Sequence, residues 1–542
     1  MINAFWWGGG SNNRGIKWLA WDKLSCPKKE GGLGFRDFRS FNLAMVAKQG
    51  WKFMHNSTSL VARLFKARYF PNNSFLESTL GNNPSFVWRS IWRARHVLSY
   101  GCRWQIGDGS KINLMHEPWL RNSHECCLFA PQNHNVYNVK VRQLWLPNVK
   151  KWDENKINSL FPLDVANDIL AVPLLDVVKE DRLVWAEEND GVYSVRSGYR
   201  KLMKEGGRGY GTATMEGWSS IWKIHAPPKA KHLLWRICKE CLPTRSRLRS
   251  RYVQCPLDCP MCLSCEEEEQ HLFFNCESIR EAWHVMGLDN IIQSRLHLLD
   301  NIRDFIFSIC RQETNLVAGK FAMLLWFAWQ NRNNKVWNEN SSPTYQIGAQ
   351  AACYWQHWAA VQGLVQGQEQ PATNGTAPAV TAVWQQPLPG YLKCNVDASF
   401  HNMAGGTGWG WILRDSRGGF KLAGSNTVTS SLSVVEGEAM ALIEAMEEVI
   451  RRGHSYVIFE SDSKTVVDAI LCRQTGVSEF SLLISHIQSL LSLHNYFEVK
   501  YVRRQANKVA HYLARAALSM SSRRVFDLVP PCIETYLINE MC

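Results

Sequence analysis

Residues 391–518 alternate between strand and helix patterns in an order that few folds accommodate. Three strand-like stretches come first, at 392–400, 408–415 and 419–428. A helical stretch at about 434–451 follows, and then come a strand at 455–462, two helices, a strand at 497–504 and a helix at 507–518. Strands joined by short turns and then by helical crossovers predict an α/β domain with a mixed five-stranded sheet covered by helices.

Three acidic residues lie where that pattern can bring them together. Asp397 stands inside the first strand, although strands disfavour Asp. Glu438 lies on the first helix, and Asp462 closes the fourth strand. Converging carboxylates suit hard cations such as Mg²⁺, and two such ions about 4 Å apart can support phosphodiester cleavage. Two alternatives remain: each acid is solvated surface, or Glu436 replaces Glu438 as the third ligand.

Five motifs in this region recur in a known order: "NVDASF", "GWGWILRDSRGGF", "EGEAMALIEAM", "ESDS" and "VRRQANKVAHYLA". Together they resemble the ribonuclease H-type domain of plant LINE-type (non-LTR) retrotransposon proteins, over residues 393–518. The resemblance implies that Asp397, Glu438 and Asp462 bind two Mg²⁺ or Mn²⁺ ions. It favours Glu438 over Glu436, because "AMAL" follows Glu438 as the motif expects. The implied activity is endonucleolytic cleavage of the RNA strand in an RNA–DNA hybrid.

The resemblance is imperfect at the fourth acidic position, which His511 occupies here. Neutral His is a poor ligand for Mg²⁺ and a better one for Mn²⁺. We include His511 in the catalytic set, against the alternative of an exposed helix residue without a catalytic role. Recognition of RNA depends on its 2′-OH, and the candidates for reading it are Asn395, Ser399 and Asn507.

A cysteine cluster predicts a second metal site. Seven of the 17 Cys lie between 238 and 276. The spacing C-x2-C-x8-H-x4-C, formed by Cys259, Cys262, His271 and Cys276, suits one tetrahedral, structural Zn²⁺. Free thiols are the alternative, and Cys255 and Cys265 are alternative ligands. Residues 191 to about 285, with "GVYSVRSGYRKLM" and "WSSIWKIHAPPKAKHLLWRICKECLPT", resemble the reverse transcriptase zinc-binding domain of the same proteins.

The charge of the chain favours a polyanionic partner. The formal net charge is +13 and the pI about 9.0, which is typical of nucleic-acid-binding proteins. Residues 229–251, the basic segment, hold eight Lys or Arg and one acid. We predict that this segment binds nucleic acid without sequence specificity; a merely solvated helix face is the alternative. The candidate residues are Lys229, Lys231, Arg236, Arg245, Arg247, Arg249 and Arg251.

The remaining patterns give a domain plan for all 542 residues. We expect a Trp-rich α+β region at 1–190, which resembles the tail after a polymerase core, a mostly helical zinc-binding domain at 191–288 and a helical extension at 289–338. A linker at 339–390, the ribonuclease H-like domain at 391–520 and a tail at 521–542 follow. "GCRWQIGDGSKINLMHEPWL" reads as a hairpin. No Asp-Asp pair for a polymerase core is present, so we predict a truncated retroelement-derived protein without reverse transcriptase activity.

The expected setting is intracellular, in the nucleus or cytoplasm and not secreted. The first residues lack the basic start and long apolar run of a secretory signal. The longest apolar stretch, "FAMLLWFAW" at 321–329, is too short to span a bilayer and reads as a buried helix. Clustered Cys in a reducing compartment favour metal over disulfides.

Overall fold

The computed structural model describes residues 2–8, 15–115, 117–121, 139–205, 212–298, 301–364, 384–400, 406–472, 476–520 and 522–541. The chain divides into two compact units, each built from two stretches. Unit 1 combines residues 1–39 with 206–374, and unit 2 combines residues 40–205 with 375–542. The region expected at 1–190 is therefore shared between the units.

The helices within these residues are α1 (Ile2–Trp6), α2 (Trp21–Ser25), α3 (Phe38–His55), α4 (Leu60–Tyr69), α5 (Phe86–Ser99), α6 (Glu154–Leu160), α7 (Leu163–Leu170), α8 (Val195–Glu205), α9 (Thr212–Lys223), α10 (Pro228–Cys238), α11 (Arg245–Ser250), α12 (Glu277–Val285), α13 (Asp289–Gln293), α14 (Ile302–Gln312), α15 (Asn315–Asn338), α16 (Thr344–Val361), α17 (Val434–Arg451), α18 (Lys464–Leu471), α19 (Glu479–Leu493), α20 (Lys508–Ala517) and α21 (Glu534–Met541). The strands are β1 (Cys102–Gln105), β2 (Arg182–Trp185), β3 (Leu392–Phe400), β4 (Thr407–Arg414), β5 (Phe420–Val428), β6 (Val457–Ser461), β7 (Phe497–Tyr501) and β8 (Arg524–Phe526).

Unit 1 is helical and has one large apolar core, in which α15 is the longest helix. The apolar stretch at its centre is buried, as the sequence predicted, with Phe321, Met323 and Leu324 fully enclosed. Thr314 caps its first turn by accepting a hydrogen bond from the Val317 N–H, which satisfies one otherwise unpaired donor. Among the described residues, no helix is both long and apolar enough to cross a membrane.

A helix stands in the first part of the segment interpreted as a linker. It is α16, and its residues Ile347, Ala351 and Trp355 are buried in the core of unit 1. The low charge of residues 344–361 therefore reflects a helix that packs in this core. Residues 365–383 of the predicted linker lie outside the described residues, whereas 384–390 are described and include the buried Trp384.

The ribonuclease H-like fold is confirmed in unit 2. Its mixed sheet has the order β7-β6-β3-β4-β5-β8. Strands β3, β4 and β5 are antiparallel neighbours, whereas β6 runs parallel to both β3 and β7. One face of the sheet packs on α17, α18 and α19, and the other packs on α20 and α21. The sheet has six strands rather than the predicted five, because β8, from the segment expected to be a tail, pairs with β5.

The expected hairpin around 107–109 is wrong, because β1 pairs with the distant strand β2. The buried carboxylate of Asp181 explains the arrangement. It accepts hydrogen bonds from the backbone N–H groups of Gly107, Gly109 and Lys111, each at 2.8 Å. These hydrogen bonds attach the turn at 107–111 to Asp181, which directly precedes β2, and not to a strand that follows the turn in sequence.

The C-terminal helix α21 supplies the partner of a buried cation. Arg414 is only 1% exposed. Its Nη1 donates to Glu540 Oε2 at 2.7 Å, and its Nη2 donates to Asn395 Oδ1 at 2.8 Å. The guanidinium also lies 3.6 Å from the ring centroid of Trp384. Removing one member of a buried ion pair leaves the other charge uncompensated.

We therefore expect Glu540→Gln to destabilise the ribonuclease H-like fold by about 3–5 kcal/mol. Hydrogen exchange of the β3, β4 and β5 amides in the full chain measures this loss. The control is Glu534→Gln, an exposed position at the start of the same helix, where protection should stay unchanged. Equal amide protection in Glu540→Gln and Glu534→Gln would show that the fold does not require the Glu540 carboxylate as a partner for Arg414.

Candidate metal and nucleic-acid sites

Three carboxylates converge at one end of the central strands of unit 2. Asp397 lies on β3, and Asp462 directly follows β6, which is the parallel neighbour of β3. Glu438 reaches the same place from α17. One oxygen of each carboxylate lies within 4.8 Å of one oxygen of the other two. The structure therefore brings together the three acids that the sequence singled out.

The electrostatics of this cluster favour a bound cation. Burial, together with the charge of Asp462, raises the pKa of Asp397 to about 8. Burial and the charges of Asp397 and Asp462 also raise the pKa of Glu438 well above its ordinary value. Glu438 Oε2 is buried without a hydrogen-bond partner among the described residues. Carboxylates that repel one another, with an unsatisfied oxygen among them, fit a divalent metal site.

His511 contacts the cluster from α20. Its Nδ1–H donates to Asp397 Oδ2 at 2.8 Å, and its Nε2 lies 3.5 Å from Arg504 Nη2. Burial, followed by the charges of Arg504 and Arg515, lowers the pKa of His511. A neutral His511 with its proton on Nδ1 thus fixes the orientation of the Asp397 carboxylate.

The rival residue Glu436 lies outside the cluster. Its carboxylate accepts a hydrogen bond from the Ser433 backbone N–H and closes a capping box at the start of α17. The same carboxylate pairs with Arg121, with Nη1–Oε2 at 2.6 Å. Glu436 therefore stabilises the helix that carries Glu438.

Two of the three residues expected to read the RNA 2′-OH are buried. Asn395 is fully enclosed, and its amide oxygen accepts from Trp384 Nε1 and Arg414 Nη2. Asn507 is 1% exposed and donates to the Val396 backbone oxygen at 2.8 Å. Both side chains are used in holding the sheet together, so contact of Asn395 and Asn507 with a 2′-OH stays a prediction, one that their burial disfavours.

Ser399 keeps its place as a candidate for substrate contact. It is half-buried and lies two residues beyond Asp397 on β3. Alternate residues of a strand point to the same face, so Ser399 and Asp397 share one face of the sheet.

The predicted zinc ligands also converge, in unit 1. Cys259, Cys262, His271 and Cys276 each place one ligand atom within 4.8 Å of the others. Cys262 Sγ lies 3.2 Å from His271 Nε2. A hydrogen bond from Cys259, opposed by burial, lowers the pKa of Cys276 to about 5. A thiolate in a set of three sulfurs and one imidazole is the donor chemistry that structural Zn²⁺ takes.

The alternative ligands do not join this group. Cys265 is exposed, and Cys255 donates to the Arg245 backbone oxygen at 3.6 Å. Neither residue belongs to the set of ligand atoms that lie within 4.8 Å of one another.

A buried acid beside the zinc ligands was not anticipated from the sequence. Glu267 is fully buried and pairs with Arg332 of α15 through both oxygens, at 2.5 and 2.6 Å. It also accepts from the Arg245 backbone N–H at 2.8 Å. In the sequence the run "EEEE" at 266–269 is typical of solvated surface charge. Only the tertiary contact with the distant Arg332 shows that Glu267, the second residue of the run, is buried.

The first residues of the basic segment make contacts inside unit 1. Lys229 Nζ lies 3.6 Å from the ring centroid of Trp326 and 4.0 Å from that of Tyr354. Lys231 Nζ donates to the Trp222 backbone oxygen at 3.0 Å, and burial lowers the pKa of Lys231. Both cations therefore contribute to packing.

Two arginines near the middle of the segment have partners beside the zinc ligands. Arg245 Nη1 donates to the Asp258 backbone oxygen at 2.6 Å. Arg247 pairs with the buried carboxylate of Glu269. Both contacts attach α11 to the zinc-binding loop. Glu269 compensates the charge of Arg247, whereas the Asp258 carbonyl is neutral and leaves the charge of Arg245 uncompensated.

The end of the basic segment remains open to solvent. Arg249 and Arg251 are exposed, and Tyr252 beside them is 94% exposed. Arg236 is half-buried, with its guanidinium 5.5 Å from the ring centroid of Trp7. We name Arg249, Arg251 and Tyr252 the basic tip.

Two domain families match the chain where these two sites lie. The family described as "zinc-binding in reverse transcriptase" matches residues 193–283. The family described as "Reverse transcriptase-like" matches residues 395–517. The first range includes all four zinc-ligand candidates, and the second includes all three carboxylates. Fold, sites and families thus define a protein with a reverse transcriptase zinc-binding domain and a C-terminal ribonuclease H-like domain.

Two relatives come from Arabidopsis thaliana. A protein named "Putative ribonuclease H protein" is 26% identical over 99% of this chain and 87% of its own length. An "Uncharacterized mitochondrial protein" is 45% identical over 121 residues, which are 22% of this chain and 78% of that protein. The chain belongs to the family of plant LINE-type, retrotransposon-derived proteins that carry both domains.

Solved structures give a weaker likeness, over about a quarter of this chain. The ribonuclease H1 of Halobacterium salinarum is 23% identical, with a TM-score of 0.22, and the match covers 24% of this chain and 98% of that one. A ribonuclease H1 in complex with an RNA/DNA hybrid is 17% identical at the same TM-score, covering 24% and 96%. The family assignment depends on the domain families and the relatives.

Proposed function

We propose that this chain binds nucleic acid and cuts the RNA strand of an RNA–DNA hybrid with the help of divalent metal ions. The observation that supports it most is the buried cluster of Asp397, Glu438 and Asp462 with an unpaired Glu438 oxygen. Burying several carboxylates without a compensating cation or hydrogen bond costs free energy, so such a cluster favours a bound cation.

In this proposal Asp397, Glu438 and Asp462 would hold Mg²⁺ or Mn²⁺, in a pair. Bound ions would supply positive charge to the attacking and leaving oxygens of a phosphodiester. His511 keeps the Asp397 carboxylate in one orientation through its Nδ1–H. The cation of Arg504, next to His511, lowers the pKa of Asp397, although burial outweighs it, and so favours the ionised form that a metal needs.

Metal binding should strengthen as the pH rises toward 8. The pKa of Asp397 in the folded protein, about 8, is above the value of about 3.9 expected when unfolded. In the metal-free folded protein Asp397 therefore keeps its proton up to about pH 8, whereas in the unfolded chain it loses the proton near pH 4. The stabilisation of the folded state by this proton is complete below about pH 4 and is lost as the pH rises through about 8. A metal must displace that proton. We expect the Mn²⁺ affinity measured by calorimetry to rise about tenfold from pH 6 to 7 and about fivefold from pH 7 to 8; a flat profile would contradict this.

The proposal is tested with the full chain and a labelled RNA–DNA hybrid. Cleavage of the RNA strand is expected with Mg²⁺ or Mn²⁺ and not with a chelator. Single-stranded RNA and duplex DNA of the same sequence are the comparison substrates and should remain uncut. Binding of the hybrid without cleavage under either metal would overturn the enzymatic proposal.

One observation favours a second candidate, a nucleic-acid-binding protein without turnover. His511 occupies the fourth acidic position and donates to an oxygen of Asp397, where a fourth acid would add negative charge instead. A weaker metal site could leave binding intact and abolish hydrolysis. The hybrid assay separates the two candidates, because only the first predicts a cleaved strand.

The basic tip gives the second candidate a specific test. Exposed Arg side chains neutralise phosphates, and an exposed aromatic ring can stack on a base. We expect Arg249→Ala with Arg251→Ala to weaken binding of single-stranded nucleic acid and to lower the salt-dependence slope by about 1.4. Arg280→Ala, an exposed arginine on α12, is the matched control. An unchanged slope in the double variant would exclude the basic tip as a phosphate contact.

A further inference from the structure

A buried ion-pair network joins residues 40–205 to the ribonuclease H-like fold within unit 2. Arg121 donates to Glu436 through both terminal nitrogens, at 2.6 and 3.1 Å, and to Glu479 at 3.0 Å. Arg103 of β1 donates to both oxygens of Glu479, at 2.9 and 3.0 Å. The side chains of Glu436 and Glu479 are only 6% and 7% exposed.

The two acids lie in the first turns of two of the three helices that cover one face of the sheet. Glu436 lies in the first turn of α17, three residues after its cap Ser433, and Glu479 is the first residue of α19. Carboxylates are favourable at helix N-termini, so each acid stabilises its own helix. Arg121 contacts both of them and so connects the starts of the two helices.

Backbone hydrogen bonds place the loops before these helices against the same region. The Ser431 N–H donates to the Ala171 oxygen at 2.9 Å, just before α17. The Val477 N–H donates to the Asp190 oxygen at 2.8 Å, just before α19. The contact is therefore built from backbone as well as charge, and it lies where each helix begins.

The first turn of α17 matters because Glu438 lies two residues beyond Glu436. The first turn of a helix lacks partners for its N–H groups and is where fraying starts. Displacing that turn would move the Glu438 carboxylate relative to Asp397 on the sheet. A metal site requires its ligands within a few tenths of an ångström of their working positions.

We propose that Arg121 is a positioning residue for the carboxylate site, acting through Glu436 on the start of α17. The Trp-rich region at 40–205 is then a brace for the nuclease fold rather than a separate binding domain. This inference rests on the proposed function, since it concerns the same carboxylates. A purely structural role for Arg121 would affect unfolding and leave the metal affinity unchanged.

Arg103 provides a matched control. It contacts Glu479 and has no hydrogen bond to Glu436, so its removal should disturb α19 without releasing α17. Mn²⁺ binding to the full chain is measured by calorimetry in the wild type, Arg121→Met, Arg103→Met and Glu436→Gln. An Asp397→Asn variant identifies the heat that belongs to the carboxylate site.

We expect Arg121→Met and Glu436→Gln to weaken Mn²⁺ binding about tenfold and Arg103→Met to change it less than twofold. Amide hydrogen exchange over 434–440 should accelerate in the first two variants only, and Arg121→Lys, which keeps the charge, should restore part of the affinity. Wild-type Mn²⁺ affinity in a folded Arg121→Met variant would overturn the positioning role. If Asp397→Asn binds Mn²⁺ like the wild type, the carboxylates do not form the proposed metal site. That outcome contradicts the proposed function and is distinguishable from a failure of the positioning role of Arg121.

Discussion

Glu438→Gln is expected to abolish hybrid cleavage, with a loss on the order of 10³-fold or more. The substitution keeps the size of the side chain and removes the charge of a buried ligand, whose Oε2 has no hydrogen-bond partner among the described residues. An amide also offers one oxygen where the carboxylate offers two. The rate is measured with saturating hybrid at a fixed Mg²⁺ or Mn²⁺ concentration.

The matched control for this prediction is Glu447→Gln on the same helix. Glu447 is 57% exposed and contacts only His486 among the described ion pairs, so its charge is solvated and remote from the carboxylates. We expect the hybrid-cleavage rate of Glu447→Gln to stay within twofold of the wild-type rate. Retained cleavage in Glu438→Gln would assign the activity to another site or to a contaminating nuclease.

The second large effect concerns zinc. Cys276→Ser is expected to reduce the zinc content from about one ion per chain to near zero and to unfold the zinc-binding part of unit 1. Apparent binding energies of structural Zn²⁺ are about 10–16 kcal/mol, and two of the ligands, Cys259 and Cys276, are part of the apolar core. Metal analysis and hydrogen exchange over residues 255–285 measure both consequences.

Cys265→Ser serves as the control for the zinc prediction. Cys265 lies between the ligands in sequence but is exposed and outside their cluster. Its zinc content should equal that of the wild type. An equal loss of zinc in both variants would mean that the ion uses a different set of sulfurs.

The sequence predicted the carboxylate cluster because its signals are local. Each acid stands at the end or middle of a regular element, and the order of these elements defines the sheet. The predicted strand at 392–400 agrees with β3 (Leu392–Phe400), and the predicted helix at 434–451 agrees with α17 (Val434–Arg451). Alternation along β3 then decides which side chains share the face of Asp397.

The sequence is least informative where the partner of a polar side chain is distant along the chain. Asn395 reads as a polar strand residue, and only Trp384 and the buried Arg414 show that its amide is already used. Lys229 reads as a phosphate-binding cation until Trp326 and Tyr354 surround it. Local patterns cannot reveal such pairs, because a buried polar group is defined by what tertiary packing places beside it.

The interleaved construction of the two units has a consequence for synthesis. Residues 40–205 leave the ribosome early, but their partner stretch in unit 2 begins at residue 375. At about 5–20 residues per second, the intervening and final stretches take on the order of tens of seconds. Through that interval the buried face of the first stretch, with Arg103 and Arg121, lacks the carboxylates that pair with it. Newly made chains should therefore depend on chaperones more than their final stability suggests.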